Sequence, residues 1–246
     1  MAFIARAGRS FRFANVDEIY ETSASFTRQF QFLQPQHANT YEIGMVLGEG
    51  QPRLRAALFH MDVYDEIHLD PFTTGVGNRN MPPLRRQGLE LEARHSVLPS
   101  FDLQAAYTYT EAKFQEGVLS GGAFTQQNVR IAGRTVPLVP RHKFDLGIDW
   151  RYDPQTSLRT EFRYASSQYM ENDEGNTLGT RIPSYSVTDI KLTHRAGKLK
   201  LSASIANVFD RKYYTYAVRS QFVADRFNAY PLPERSYWLT VEYAGL

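Results

Sequence analysis

Two sets of residues have the types and spacing to do chemistry. The first is compact: His60, Asp62, Asp65, Glu66 and His68 fall in one short stretch and read as an acid or metal cluster. Along a strand, side chains alternate between faces, so His60, Asp62 and Glu66 would share one face. The competing reading, preferred here, is a polar wall lining a wet lumen. The second set is dispersed and consists of arginines and aromatics: Arg79, Arg130, Arg134, Tyr169, Arg181, Tyr213, Tyr214, Tyr216, Arg219, Phe222, Arg226 and Phe227. Arginine offers bidentate donors to anions, and tyrosine offers flat contact area. The competing reading for these residues is loop-on-loop packing or contact with lipopolysaccharide phosphates.

Catalysis finds little support. With no cysteine in the chain, disulfides, thiolate metal sites, iron–sulfur clusters and thiol nucleophiles are excluded. Ser10 and Ser236 lack a nucleophile-elbow context. Gly75-Val76-Gly77-Asn78 reads as a loop tip, because no helix follows to cradle a phosphate. A carboxylate pair can be picked from any strand protein with 26 acidic residues, so it carries no weight. No enzyme activity and no cofactor are expected. Nucleic acid binding needs a clustered basic face, and a net charge of +2 with interspersed signs does not supply one.

These residues must be held by strands. Period-2 alternation dominates, as in Phe101–Thr110, where Phe, Leu, Ala, Tyr and Tyr alternate with Asp, Gln, Ala, Thr and Thr. Ten strands are expected, near 2–13, 39–48, 53–67, 85–97, 101–114, 141–152, 156–169, 182–194, 198–208 and 235–244. The one helical reading is a turn or two at 15–22, capped by Asn15. Four connections are tight, namely 48–52, 98–100, 153–155 and 195–197, and are built from the Gly and Pro that short turns need. The other five are long, near 14–25, 68–84, 115–140, 170–181 and 209–234. Tight and long connections alternate without exception. In an up-and-down antiparallel sheet, this puts tight turns at one end and long loops at the other, as in outer-membrane barrels.

Hydropathy agrees with a barrel once the two faces are separated. The chain has no apolar run of about 18 residues, so no transmembrane helix is expected. A mean hydropathy of −0.44 would ordinarily mean a soluble protein, but alternating barrel strands average to low values. Glu90, Glu92, Arg94, Lys143, Asp145, Asp149, Arg151, Arg159, Glu161 and Arg163 share the face opposite the Tyr, Leu, Phe and Trp residues. A packed core cannot hold that many ions. A wet lumen can, and so can the water-exposed face of a soluble β-sandwich, which stays open as an alternative. Tyr107, Tyr109, Trp150, Tyr152, Tyr237 and Tyr243 sit near strand ends, where aromatic girdles belong.

Several runs resemble motifs of the TonB-dependent outer-membrane receptors. Arg6–Glu18 resembles their "GRSFRxPNxxE", Thr40–Gly44 their "xxYExG", and Arg85–Glu92 their "xRxGxExE". Tyr107–Ala112 resembles "YTYTxA", Val139–His142 "VPRH", Asn207–Tyr214 "NLFDKxY" and Pro233–Tyr237 "PGRxY". Each is weak alone, but the ordered set is specific and spans the chain.

The resemblance implies an all-β fold: about ten strands from the C-terminal part of a larger antiparallel, up-and-down transmembrane barrel, located in the Gram-negative outer membrane. It implies uptake of a small metal chelate, such as a ferric siderophore, haem or cobalamin, contacted by the loop set Arg79, Arg130, Arg134, Tyr169, Tyr213, Tyr214, Arg219, Phe222 and Arg226. Outer-membrane lipid and lipopolysaccharide are the implied surroundings. The TonB complex would be reached only through an N-terminal plug domain, which this sequence does not show; no signal peptide is read at Met1–Arg6 either. A free-standing porin or adhesin barrel and a soluble carbohydrate-acting β-sandwich are the alternatives.

Overall fold

The computed structural model describes residues 1–22, 28–30, 32–48, 50, 52–69, 77–119, 128–220, 223 and 225–244. Ten long strands form one antiparallel sheet in chain order. They are β1 (Ala2–Arg12), β2 (Gln36–Leu47), β3 (Arg53–Tyr64), β4 (Leu84–Leu98) and β5 (Phe101–Phe114). β6 (His142–Arg151), β7 (Thr156–Ala165), β8 (Tyr185–Ala196), β9 (Leu199–Ala206) and β10 (Ser236–Tyr243) complete it. All ten expected strands are present, with ends shifted by a few residues. β1 and β10 are not hydrogen-bonded neighbours, so these ten strands do not close on themselves.

Turn chemistry sets one end of the sheet. Asp153 Oδ1 accepts the amides of Gln155 at 2.8 Å and Thr156 at 2.6 Å, folding the β6–β7 turn back on itself. Gly197 takes φ 61° in the β8–β9 turn, a conformation that glycine adopts without a steric cost. At the other end Asn15 caps helix α1 (Val16–Ile19) and forms a capping box with Glu18, which confirms the expected cap.

The register fixes the faces, because directly opposed residues in an antiparallel ladder point the same way. The row Leu47–Leu54–Ala93–Ala105–Leu146–Phe162–Thr188 runs across seven strands on one face. The row Val46–Arg55–Glu92–Ala106–Asp145–Arg163–Val187 runs across the same strands on the other. On the first face Leu239 is 77%, Ile43 61% and Leu58 53% exposed. No second sheet covers this face among the described residues, which removes the β-sandwich reading. Soluble proteins rarely leave an apolar surface of this extent bare. Trp150 and Tyr152, with rings 5.7 Å apart, and Tyr243 mark its turn-side edge.

The second face carries ion pairs. Arg55 reaches Glu42 at 3.0 Å and Glu92 at 3.2 Å. Arg159 reaches Asp149 at 2.7 Å and Glu161 at 2.6 Å, and Arg163 pairs with Asp189. These pairs are partly open to solvent and add little stability. They keep charge off the apolar face. The long loops fold onto the loop end of the charged face. Met81, Ile131 and Val136 from the loops bury Val63, Leu84, Ala112 and Phe114 of the strands. The charged face is therefore the inner one.

Candidate functional site

The compact acid–histidine set comes apart. His60 and Asp62 share the parity of Leu54 and Leu58, so they project outward above the apolar belt rather than into the lumen. Asp62 accepts from Arg85 Nε at 2.8 Å and lies 3.1 Å from His60 Nε2. Asp65 takes φ 56°, which ends the alternation before Glu66. Glu66 instead meets Arg86, on the inner-face parity of β4, at 3.0 Å. The shared face does not hold for this set, and the lumen-wall reading fails for His60 and Asp62. Among the described residues no group of three or more His, Asp or Glu is arranged to hold a metal ion.

The loop set divides by environment. Tyr214 and Phe227 pack against buried Met170, Leu178, Ile182 and Ala217, and burial pushes the Tyr214 phenol up from its ordinary pKa. Tyr213 packs ring to ring with Tyr185, with centroids 5.0 Å apart. Arg219 donates to Thr177 Oγ1 at 2.9 Å and approaches Asp173 Oδ1 at 3.5 Å. Arg79 stands opposite His68 in the hairpin Ile67–Leu69/Asn78–Asn80. Arg130, Arg134 and Arg226 are exposed. Phe222 lies outside the described residues.

One cation–π pair and one aromatic pair flank the Met170 cluster. Arg181 lies 4.1 Å over the Tyr169 ring and donates from Nη2 to its hydroxyl at 2.5 Å. The Tyr216 ring lies tilted against Tyr230, with centroids 5.2 Å apart, and its hydroxyl donates to Glu171. Burial together with the Glu171 carboxylate pushes the Tyr216 pKa up to about 12. Met170 is fully buried, so its neighbours Tyr169 and Glu171 share the opposite side of the extended segment. Glu171 pairs with Val218 and ties this segment to the hairpin Tyr214–Arg219/Phe227–Pro231. The result is a patch with a guanidinium, three phenol rings and a carboxylate at the loop end of the wall.

Residues 1–208 match the family described as TonB dependent receptor-like, beta-barrel. The chain belongs to this family. It is 26% identical over 230 residues to the ferrioxamine receptor of Yersinia enterocolitica, covering 87% of this chain and 28% of that protein. It is 24% identical over 249 residues to the ferrichrome outer membrane transporter/phage receptor of Escherichia coli, covering 93% and 30%. Its fold superposes on the ferric yersiniabactin uptake receptor of Yersinia pestis with a TM-score of 0.75 at 18% identity, over 98% of this chain and 34% of that one. The chain thus spans less than a third of the curated relatives it matches. The apolar belt is the lipid-facing surface of an outer-membrane barrel.

Several motifs of this TonB-dependent receptor barrel now have a physical reason. Arg12 Nη1 holds both oxygens of Glu18, at 2.8 and 2.9 Å, while Glu18 completes the Asn15 capping box. Burial pushes the Glu18 carboxyl up, but the Asn15 amide and Arg12 more than reverse this and hold it below its usual range. Asn207, at φ 53°, takes the amide of Arg211 at 2.9 Å and gives its own amide to Asp189 Oδ1 at 2.7 Å. Asp210 then receives the Arg235 amide at 2.9 Å, joining the last loop to β10. These motif residues build loop anchors.

Sequence reasoning missed the segment Glu171–Asn176. Buried Asp173 takes the amides of Thr177 at 2.8 Å and Leu178 at 3.2 Å. Asn176 clamps Thr135 of another loop with two bonds, at 2.8 and 2.9 Å. Glu174 reaches His68 of a third loop at 3.2 Å. The signal available was the run Glu-Asn-Asp-Glu-Gly-Asn, rich in residues that bond local backbone.

Proposed function

We propose that this chain forms the wall and ligand-contacting loops of a receptor that takes up a ferric siderophore or related metal chelate by the TonB-dependent route. The observation that carries the reading is the Arg181–Tyr169 and Tyr216–Tyr230 patch at the loop end of an inner face lined with ions. A guanidinium stacked on a phenol suits an anionic ligand with flat groups. The names of the relatives support the same class, since those of Yersinia enterocolitica and Escherichia coli are named for ferrioxamine and ferrichrome.

Energy coupling would pass through a plug domain standing against the inner face. There an open groove of about 390 Å³ is lined by Glu92, Arg94, Asp145, Arg159, Glu161 and Arg163. Its charges balance, which fits a polar protein surface better than a free anion. The chain's role is to bind and transport. The test is uptake of radiolabelled ferric siderophores by iron-starved cells carrying the full-length protein. Uptake that depends on both the protein and TonB supports the reading. Uptake that persists without TonB points to a passive porin.

A further inference from the structure

The apolar belt has a gap in it. Small side chains sit together on three neighbouring strands: Ala56 on β3, Ala93 on β4 and Ala105 on β5. Ala93 and Ala105 are directly opposed, and Leu54 is opposed to Ala93. Leu47 and Leu54 wall the gap on one side, and Tyr107 and Phe144 wall it on the other. The groove they form measures about 340 Å³ and is lined almost wholly by carbon. At roughly 30 Å³ per water-sized group, that is room for on the order of ten methylenes.

We propose that this groove seats one acyl chain of a phospholipid in the periplasmic leaflet, held longer than the lipid around it. Two observations choose this occupant. The groove is continuous with the lipid-facing belt, so hydrocarbon is what reaches it. It also lies toward the tight-turn end, since Leu47 closes β2 and Leu54 opens β3 on either side of the turn at 48–52. In an up-and-down barrel that end faces the periplasm. Exposed His95 stands two positions nearer the turn than Ala93 on the same face and can donate to a lipid head group. On the next two strands, β6 and β7, large side chains fill these rows at Leu146, Phe162 and Tyr164. An acyl chain in the groove meets side chains on two sides and a floor of alanine, where the rest of the belt offers one surface. Contact area, and with it residence time, should rise.

The test uses full-length protein reconstituted with a phospholipid carrying a diazirine in its acyl chain, with cross-linked peptides counted by mass spectrometry. Labelling of 45–56 and 91–107 should exceed that of the belt at 158–164 and 201–205 by severalfold. Filling the groove with Ala105→Leu should bring it down to the level of those controls. Leu54→Ala, which removes a wall without adding bulk, should lower it as well. Unchanged heat-modifiable migration on gels checks that each variant is folded. Uniform labelling along the belt, or labelling indifferent to Ala105→Leu, would overturn the proposal and leave ordinary annular lipid. Stronger labelling by a lipid A probe than by the phospholipid would overturn the choice of leaflet.

Discussion

His68 Nε2 lies 3.2 Å from Glu174 Oε1, joining two loops whose residues are 106 positions apart. Glu174 is buried and His68 is less than a third exposed. The contact ties the β3–β4 hairpin to the segment that carries Tyr169 and Glu171. Burial alone would push the imidazole pKa down. Hydrogen bonding to Glu174 and the charges of Glu174, Glu171 and Glu66 outweigh it, so His68 is raised. A raised pKa in the folded state contributes stability that is fully present below the unfolded value near 6.5. That contribution is lost as pH rises through the folded value. Titration of the His68 ring by NMR should show a midpoint above the ordinary histidine range, and the Glu174→Gln variant should return it toward that range. Thermal stability of His68→Gln should lose the wild-type decline across this same window.

Arg12, Asn15 and Glu18 form one anchor at the start of the first loop. Asn15→Ala removes the cap from Glu18 N and should cost about 1 kcal/mol of local stability. Faster amide hydrogen exchange at Val16–Ile19, with the strands unaffected, is the expected readout.

Gly88 lets β4 pass under Phe59. A Cβ added at Gly88 would collide with the Tyr109 carbonyl oxygen and meet the Phe59 ring at 2.8 Å. Gly88→Ala should therefore destabilise the barrel by about 1–3 kcal/mol, the range for overpacking. Phe59→Ala in the same background relieves only the ring contact. Urea unfolding in bilayers should show partial rescue.

Face assignment predicts a contrast between sequence neighbours. Leu146 points to lipid and Asp145 to the lumen. Leu146→Arg should cost about 2–4 kcal/mol if it sits near the bilayer midplane. Asp145→Asn should change stability little. Folding yield into vesicles distinguishes the two.

The strands were legible because alternation records which side each residue faces, and ten runs such as Phe101–Phe114 carry it plainly. Parity at Leu54, Leu58 and His60 also contained the outward placement of His60 and Asp62. Their polarity suggested a lumen, because a belt has an upper edge that hydropathy alone does not mark. The loops were less legible. Tyr214, Phe227 and Tyr216 are all aromatics near one another in sequence, yet the first two fill the Met170 cluster while Tyr216 is exposed. That difference depends on contacts with Met170 and Ile182, distant in sequence, and no local period records it. Asp173 and Asn176 were invisible for the same reason, since their partners lie in other loops.

The most direct measurement is equilibrium binding of ferric siderophores to the full-length protein, read by fluorescence quenching. The panel should span ferric hydroxamates, ferric catecholates, haem and cobalamin. Saturable binding of one iron-chelate class is expected, weakened at least about tenfold in the Tyr169→Ala/Arg181→Ala double variant, with folding intact. Binding of no chelate, or equal binding by the double variant, would contradict it.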